Sequence, residues 1–207
     1  MRSISLLGIN AGLFLGSCLW LGSACAIEPS FDCSKADHDA EDLICRDGEL
    51  AALDNQLAGV YGAALKNIPV DEHKNLKAVQ RGWIKGRNDC WKSSNLRDCV
   101  KFAYESRITE LQIQGGLVTV PEPVQYQCDG GDYDYLTAIF YRSTALPVVA
   151  LTRINNRETW QVIAYRSHSG SGARYEGQNV LFWNKGDEAM LEWNGEKLKC
   201  REFPAEN

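Results

Sequence analysis

The chain has 207 residues, 44% hydrophobic and 24% charged, which suits one large globular domain or two small ones and excludes a disordered or fibrous protein. Its formal net charge of -5, with a pI near 5.3, argues against nucleic acid or anionic lipid as the main partner and suits a basic one.

Residues 1–26 read as a signal peptide. Arg2 supplies the positive end, Ile4 to Leu21 is an uncharged apolar run, and Ala24-Cys25-Ala26 is a small-residue cleavage site. The run is marginal for a membrane span of about 20 residues, so cleavage and export to the periplasm are expected rather than a retained anchor. Leu15-Gly16-Ser17-Cys18 and, less well, Gly22-Ser23-Ala24-Cys25 resemble lipoboxes. Membrane attachment is therefore expected only if Cys18 or Cys25 is lipidated, and a lipid-anchored envelope protein is the alternative. Cleavage removes Arg2 and no acid, taking the charge from -5 to -6. It also removes two of the eight cysteines and leaves Cys33, Cys45, Cys90, Cys99, Cys128 and Cys200. That even set suits disulfides in an oxidising compartment.

Residues 27–113 carry apolar side chains at helical spacing. Leu43, Leu50, Leu53, Leu57, Tyr61 and Leu65 share one face of a first helix, with Asp37, Asp39, Glu41 and Asp42 at its N-terminal end, where the dipole favours negative charge. Asn67-Ile68-Pro69 ends it. Leu76, Val79, Trp83 and Cys90 stripe a second helix, and Leu96, Val100, Ala103, Tyr104, Ile108 and Leu111 a third. Short connections make neighbours antiparallel, which predicts a three-helix, disulfide-linked unit. Residues 114–123, with Gly115-Gly116 and Pro121-Glu122-Pro123, read as a stiff linker.

Over residues 124–207 the period changes to two. Runs rich in β-branched and aromatic residues fall at Tyr135–Tyr141, Pro147–Ile154, Trp160–Tyr165, Val180–Trp183 and Ala189–Trp193, and Asn194-Gly195 signals a type I′ hairpin into Leu198-Lys199-Cys200. About eight short strands in this length predict a small antiparallel barrel, which removes open edges by closing on itself. The fold class is thus α+β in two domains. Cys45 and Cys90 lie equally far either side of the first interhelix turn, which makes Cys45–Cys90 natural in an antiparallel pair and leaves Cys33–Cys99. The local alternative, Cys33–Cys45 with Cys90–Cys99, stays open. Cys128 and Cys200 sit on the first and last strands, where a bridge closes the barrel.

No catalytic constellation stands out. His38, His73 and His168 have no partner at metal-ligand spacing, no CxxC pair or phosphate loop is present, and Ser171 near His168 lacks an orienting acid. The expectation is a non-enzyme with no metal and no cofactor.

Two segments carry more. Tyr126-x-Cys128, Ser171-Gly172-Ala173-Arg174-Tyr175, Phe182-Trp183-x-Lys185-Gly186-Asp187-Glu188-Ala189 and Cys200 resemble the MliC/PliC family, membrane-bound or periplasmic inhibitors of C-type lysozyme. The resemblance covers about residues 124–203. It implies an eight-stranded barrel, a host C-type lysozyme as partner, and inhibitory roles for Ser171 and Lys185, with Gly172, Arg174, Tyr175 and Gly186 completing the lysozyme-binding motifs. Asp32-Cys33, Ile44-Cys45, Leu53-Asp54, Gln80-Arg81-x-Trp83, Arg87-Asn88-Asp89-Cys90, Cys99 and Tyr104-x-x-Arg107-Ile108 resemble the LprI-type domain, named for a mycobacterial lipoprotein credited with lysozyme inhibition. Its Asp54, Gln80, Arg87 and Arg107 are expected to form a buried polar network holding the helices. An envelope-binding or assembly module that recognises a glycan or partner protein is the alternative function.

Overall fold

Helix begins at Asp39, with three acids in the first turn, but it does not run through to Asn67. In the computed structural model, which describes residues 27–155 and 158–203, it stops after one short helix, α1 (Asp39–Arg46). Asp47 adopts extended backbone, and its side chain accepts the N–H groups of Glu49 (3.0 Å) and Leu50 (3.2 Å), capping a new helix, α2 (Gly48–Asn67). Arg97 holds the cap from outside, its Nε 2.7 Å from Asp47 Oδ2. The helical half therefore has four helices where the periodicity predicts three; α3 is His73–Asn88 and α4 Leu96–Gln114.

That break also corrects the disulfide expectation. The bridges are Cys33–Cys45 and Cys90–Cys99, with Cα separations of 5.9 and 5.7 Å. Cys45–Cys90 presumes one continuous helical hairpin. Instead Cys45 lies on α1, beside the 3-10 turn Cys33–Lys35, and Cys90 lies in another 3-10 turn, Asp89–Lys92, which delivers it to the start of α4. The expected signal peptide and the two lipobox-like cysteines, Cys18 and Cys25, lie outside the described residues, within which no helix is long and apolar enough to cross a membrane.

Leu50, Leu57, Ala64, Leu76, Val100, Ile108 and Leu111 form the helical core. On α3 the inward stripe is Leu76, Gln80, Trp83 and Arg87, whereas Val79 is exposed. The buried polar residues form two chains rather than one network. Arg87 donates to the Tyr104 hydroxyl (2.8 Å) and to Glu41 (3.1 Å), and Tyr104 donates to Asp54 (2.8 Å). Separately, Arg107 donates to Gln80 and to Glu110, each at 2.9 Å.

The barrel is β1 (Val124–Cys128), β2 (Tyr135–Tyr141), β3 (Val148–Asn155), β4 (Glu158–Ser167), β5 (Ala173–Gly177), β6 (Val180–Lys185), β7 (Glu188–Trp193) and β8 (Glu196–Phe203). Each strand pairs antiparallel with the next, and β1 with β8, closing the sheet. Cys128 and Cys200 are directly opposed across that closure and are bridged. Asn194 and Gly195 both have positive φ, as a type I′ turn requires. Alternate residues point inward, Leu136, Ala138, Val149, Leu151, Ala164, Phe182, Leu191 and Leu198 among them. Near one end of β3 the interior holds a buried ion pair: Arg153 meets Asp134 through two bonds of 2.9 and 2.6 Å, and reaches Glu196 at 2.8 Å.

α4 joins the two halves. Tyr141, Val148 and Tyr165 are neighbours on the outer face of β2, β3 and β4, yet Tyr141 and Val148 are buried. Phe102 of α4 packs edge-on against Tyr165 at 5.4 Å, and the Tyr165 hydroxyl donates to Glu110 at 3.2 Å. Burial, reinforced by the Glu110 carboxylate, pushes the Tyr165 phenol well above its ordinary value, so it stays a donor. The Leu146 N–H donates to Thr109 and the Ala145 N–H to Gln112, both at 2.9 Å.

Two predictions follow from these charges. Hydrogen bonding from Arg97 holds the Asp47 carboxyl below its usual range. Burial tends to raise Glu41, but the Asp37 N–H, Asn88 and Arg87 outweigh it and lower the net value. Both folded-state values lie below the unfolded ones, so the stability they contribute is present above about pH 4 and lost as pH falls through the folded values. Urea midpoints of the helical signal should be level from neutral pH down to about 5 and fall below about 4. Asp47→Asn keeps a capping side chain and should flatten that fall. In the barrel, Asp134→Ala leaves the buried Arg153 guanidinium with only the half-exposed Glu196 and should cost about 3 kcal/mol in urea unfolding, while Arg153→Met added to it should recover part of the loss.

Candidate functional site

β5 and β6 are in register from Gly177↔Val180 to Ala173↔Asn184, so the residues just before β5 arrive beside the last residue of β6, Lys185. Gly172 makes that approach possible. Its φ is +65°, and a Cβ there would lie 2.5 Å from the Asn184 carbonyl oxygen and 3.2 Å from the Lys185 Cβ. The Ser171 carbonyl accepts two bonds, from Trp183 Nε1 at 2.8 Å and from the Ser169 hydroxyl at 2.5 Å. The loop backbone is thereby fixed to the β6 strand while the Ser171 residue itself remains exposed.

Lys185 is also exposed. Its cross-strand neighbour is Glu188, but Glu188 is taken by Arg201 at 2.8 Å, and Asp187 lies 3.7 Å from the same guanidinium. Among the described residues, Lys185 has no ion-pair partner. Gly186, with φ +64°, turns the chain between β6 and β7 and keeps Lys185 at the barrel's end.

Ser171, Gly172, Lys185 and Gly186 thus come together at one end of the barrel; Arg174 and Tyr175 do not join them. Arg174 points outward along β5 and pairs with Glu176 at 2.7 Å. Tyr175 is buried, with its ring against Phe140 (5.8 Å) and Phe182 (6.5 Å) and the Arg166 guanidinium 5.5 Å from its centroid. It anchors the strand that follows the loop. Beneath the loop, burial, assisted by the Glu202 carboxylate, pushes the Tyr126 phenol up to about 12, so it stays protonated.

Two features escaped the sequence reading. Trp183 is the loop's fastening; its membership of the Phe182-Trp183-x-Lys185 motif and its place on the same outward face as Lys185 are the hints in the sequence. A groove of about 740 Å³ runs from Lys185 along the outer face past Trp183, the exposed Met190, Lys199 and Arg201. Its lining is gathered from β1, β6, β7 and β8, a grouping visible only once the strands are paired. No cluster of residues able to hold a metal ion occurs among the described residues.

Comparison with known proteins agrees with this architecture. Residues 126–199 match the family described as membrane-bound lysozyme-inhibitor of c-type lysozyme, and residues 33–114 match that described as lysozyme inhibitor LprI. Over 190 residues the chain is 32% identical to lipoprotein LprI of Mycobacterium bovis and, equally, to that of Mycobacterium tuberculosis; the match covers 86% of this chain and 92% of each relative. A helical half and a closed barrel, each matching a lysozyme-inhibitor family and together matching one lipoprotein nearly end to end, show that the chain belongs to the LprI family.

Proposed function

We propose that this protein is a non-catalytic inhibitor of C-type lysozyme in the bacterial envelope, and that the Ser171 loop and Lys185 enter the lysozyme cleft. The observation that carries the reading is the pairing, at one barrel end, of an exposed serine with an ammonium group that its own acids leave unpaired. The two family matches and the lipoprotein relatives support it.

The chemistry is complementary. Lysozyme cleaves between two carboxyl groups, one kept protonated as an acid and one ionised. An ammonium brought beside them makes a charge-assisted contact in a partly dehydrated cleft. A hydroxyl both donates and accepts, so it suits a site of mixed protonation. Because Gly172 and Trp183 already hold the loop, little conformational entropy is lost on insertion. A net negative chain also gains association rate toward a basic enzyme. Residues 27–113 and 124–207 act as two domains in this reading, with the barrel as the blocking one. Cleavage after Ala26 places the protein in the periplasm. The relatives' name supports the lipid-anchored alternative at Cys18 or Cys25, and the mass of the mature protein separates the two.

Lysis of a cell-wall suspension by a C-type lysozyme, titrated with mature protein, tests the mechanism. Ser171→Ala and Lys185→Ala should each weaken inhibition by about 1.5–3 kcal/mol, roughly one to two decades, with unchanged melting temperature. Lys185→Glu should be worse than alanine, and Lys197→Ala, on an exposed part of β8, should change little. Inhibition by both alanine variants at wild-type strength would overturn the cleft-insertion mechanism. Trp183→Phe keeps the ring but removes the N–H that holds the Ser171 carbonyl. It should speed dissociation of the complex by about tenfold, measured by surface plasmon resonance, with little change in association rate.

A further inference from the structure

The helical half has a groove of its own, of about 600 Å³, between the segment at Ser30–Phe31, α2 and α3. That volume lies within the range of small-ligand sites. Three half-buried aromatic side chains, Phe31, Tyr61 and Trp83, line it, and its polar lining includes Asp54, Gln80 and Arg87. Asp54 and Arg87 are 7% and 5% exposed, so the groove opens onto charges that the fold otherwise keeps from water.

The hydrogen bonding there is incomplete. Arg87 uses its two terminal nitrogens on Tyr104 and Glu41, but its Nε is buried with no partner among the described residues. Gln80 accepts from Arg107 through its oxygen, which leaves the amide N–H donors directed elsewhere. Asp54 accepts from Tyr104 and from the Ser30 N–H (2.6 Å), and a carboxylate has lone-pair sites for more.

Charge narrows the ligand. A cation entering beside Asp54 meets the guanidinium of Arg87, which is joined to Asp54 through a single tyrosine hydroxyl, and Lys35 at the groove's rim. An anion meets Asp54 and Glu41 inside and Asp32 and Asp37 at the rim. A neutral ligand with groups that both donate and accept, and with apolar C–H faces for the aromatic walls, meets neither obstacle. We propose that the helical half binds a neutral saccharide in this groove, pyranose faces against Tyr61 and Phe31 and hydroxyls toward Asp54 and Gln80. The site is separate from the Ser171–Lys185 end of the barrel, and the proposal does not depend on the lysozyme reading.

Full-length mature protein titrated with the tetramer of N-acetylglucosamine, followed by tryptophan fluorescence and calorimetry, tests it. The expected result is saturable binding that Tyr61→Ala weakens by about tenfold or more. Ala58→Arg adds bulk at an exposed lining position of α2 without touching the core, and it should abolish binding even if Tyr61→Ala perturbs the fold. Both variants should inhibit lysozyme like wild type, so failure here is distinguishable from failure of the barrel mechanism. No binding of the tetramer at millimolar concentration, equal binding by Ala58→Arg, or binding of a neutral peptide in its place would each overturn the proposal.

Discussion

The register between β5 and β6 is the constraint on which the candidate site depends. Side chains alternate across a strand, so a slip of one residue would turn Lys185 into the barrel and Asn184 out of it. Several features hold the register. Tyr175 and Phe182 face each other inside, and the sheet closes on itself, so β5 cannot slide without disturbing every neighbour back to the Cys128–Cys200 bridge. Gly172 adds a local lock, because only a residue without a side chain fits against the Asn184 carbonyl at that backbone angle. The loop is therefore positioned by the barrel as a whole.

The helical half relies on a different kind of interaction. Its core is small, and Arg87, Arg107 and Asp54 sit inside it, each hydrogen-bonded to a neighbour, although Arg87 Nε and Arg107 Nη2 have no partner among the described residues. Such groups contribute modestly when paired and are costly when a partner is removed. They therefore select one packing of the helices more than they deepen its stability. Arg107 extends this order outward: Glu110, which it binds, also accepts from Tyr165 of the barrel. One carboxylate thus connects the interior of the helices to the seat on which the barrel rests.

Much of the barrel was legible because its signals are local. Period-two runs located β2 at its observed ends, and Asn194-Gly195 specified its turn by backbone angle alone. Ser171, Gly172, Lys185 and Gly186 were legible through resemblance, and the fold brings them together. What periodicity missed depends on competition or on tertiary contact. Asp47 sits within an apolar pattern that reads as continuous helix, but its carboxylate caps the next helix better than its backbone continues the first, and Arg97, far along the chain, rewards that choice. The local disulfide pairing follows from that break and from the 3-10 turn that takes Cys90 off α3. Arg153 in a strand interior looks outward-facing by composition; its carboxylate partners Asp134, from the β1–β2 connection, and Glu196 make burial tolerable. Tyr141 and Val148 gave no sign that an outward strand face would be covered by a helix.

The linker illustrates how the two halves communicate. Pro121-Glu122-Pro123 reads as a spacer, which by itself keeps domains apart. Yet the contact is made elsewhere, by α4 on the β2–β3 turn and on Tyr165, through two backbone N–H groups, one phenol and one aromatic pair. Two of those bonds end on backbone of a turn and so do not depend on which side chains the turn carries. The hydroxyl of Thr109 and the amide of Gln112 must instead be presented from α4 at the spacing of adjacent turn residues, Ala145 and Leu146. A rotation of α4 about its axis would lose both bonds together with the Phe102–Tyr165 contact, and the same rotation is opposed inside by Tyr104 and Arg107. The orientation of the barrel on the helices is therefore set by the polar core of the helical half, with the linker left only to span the gap.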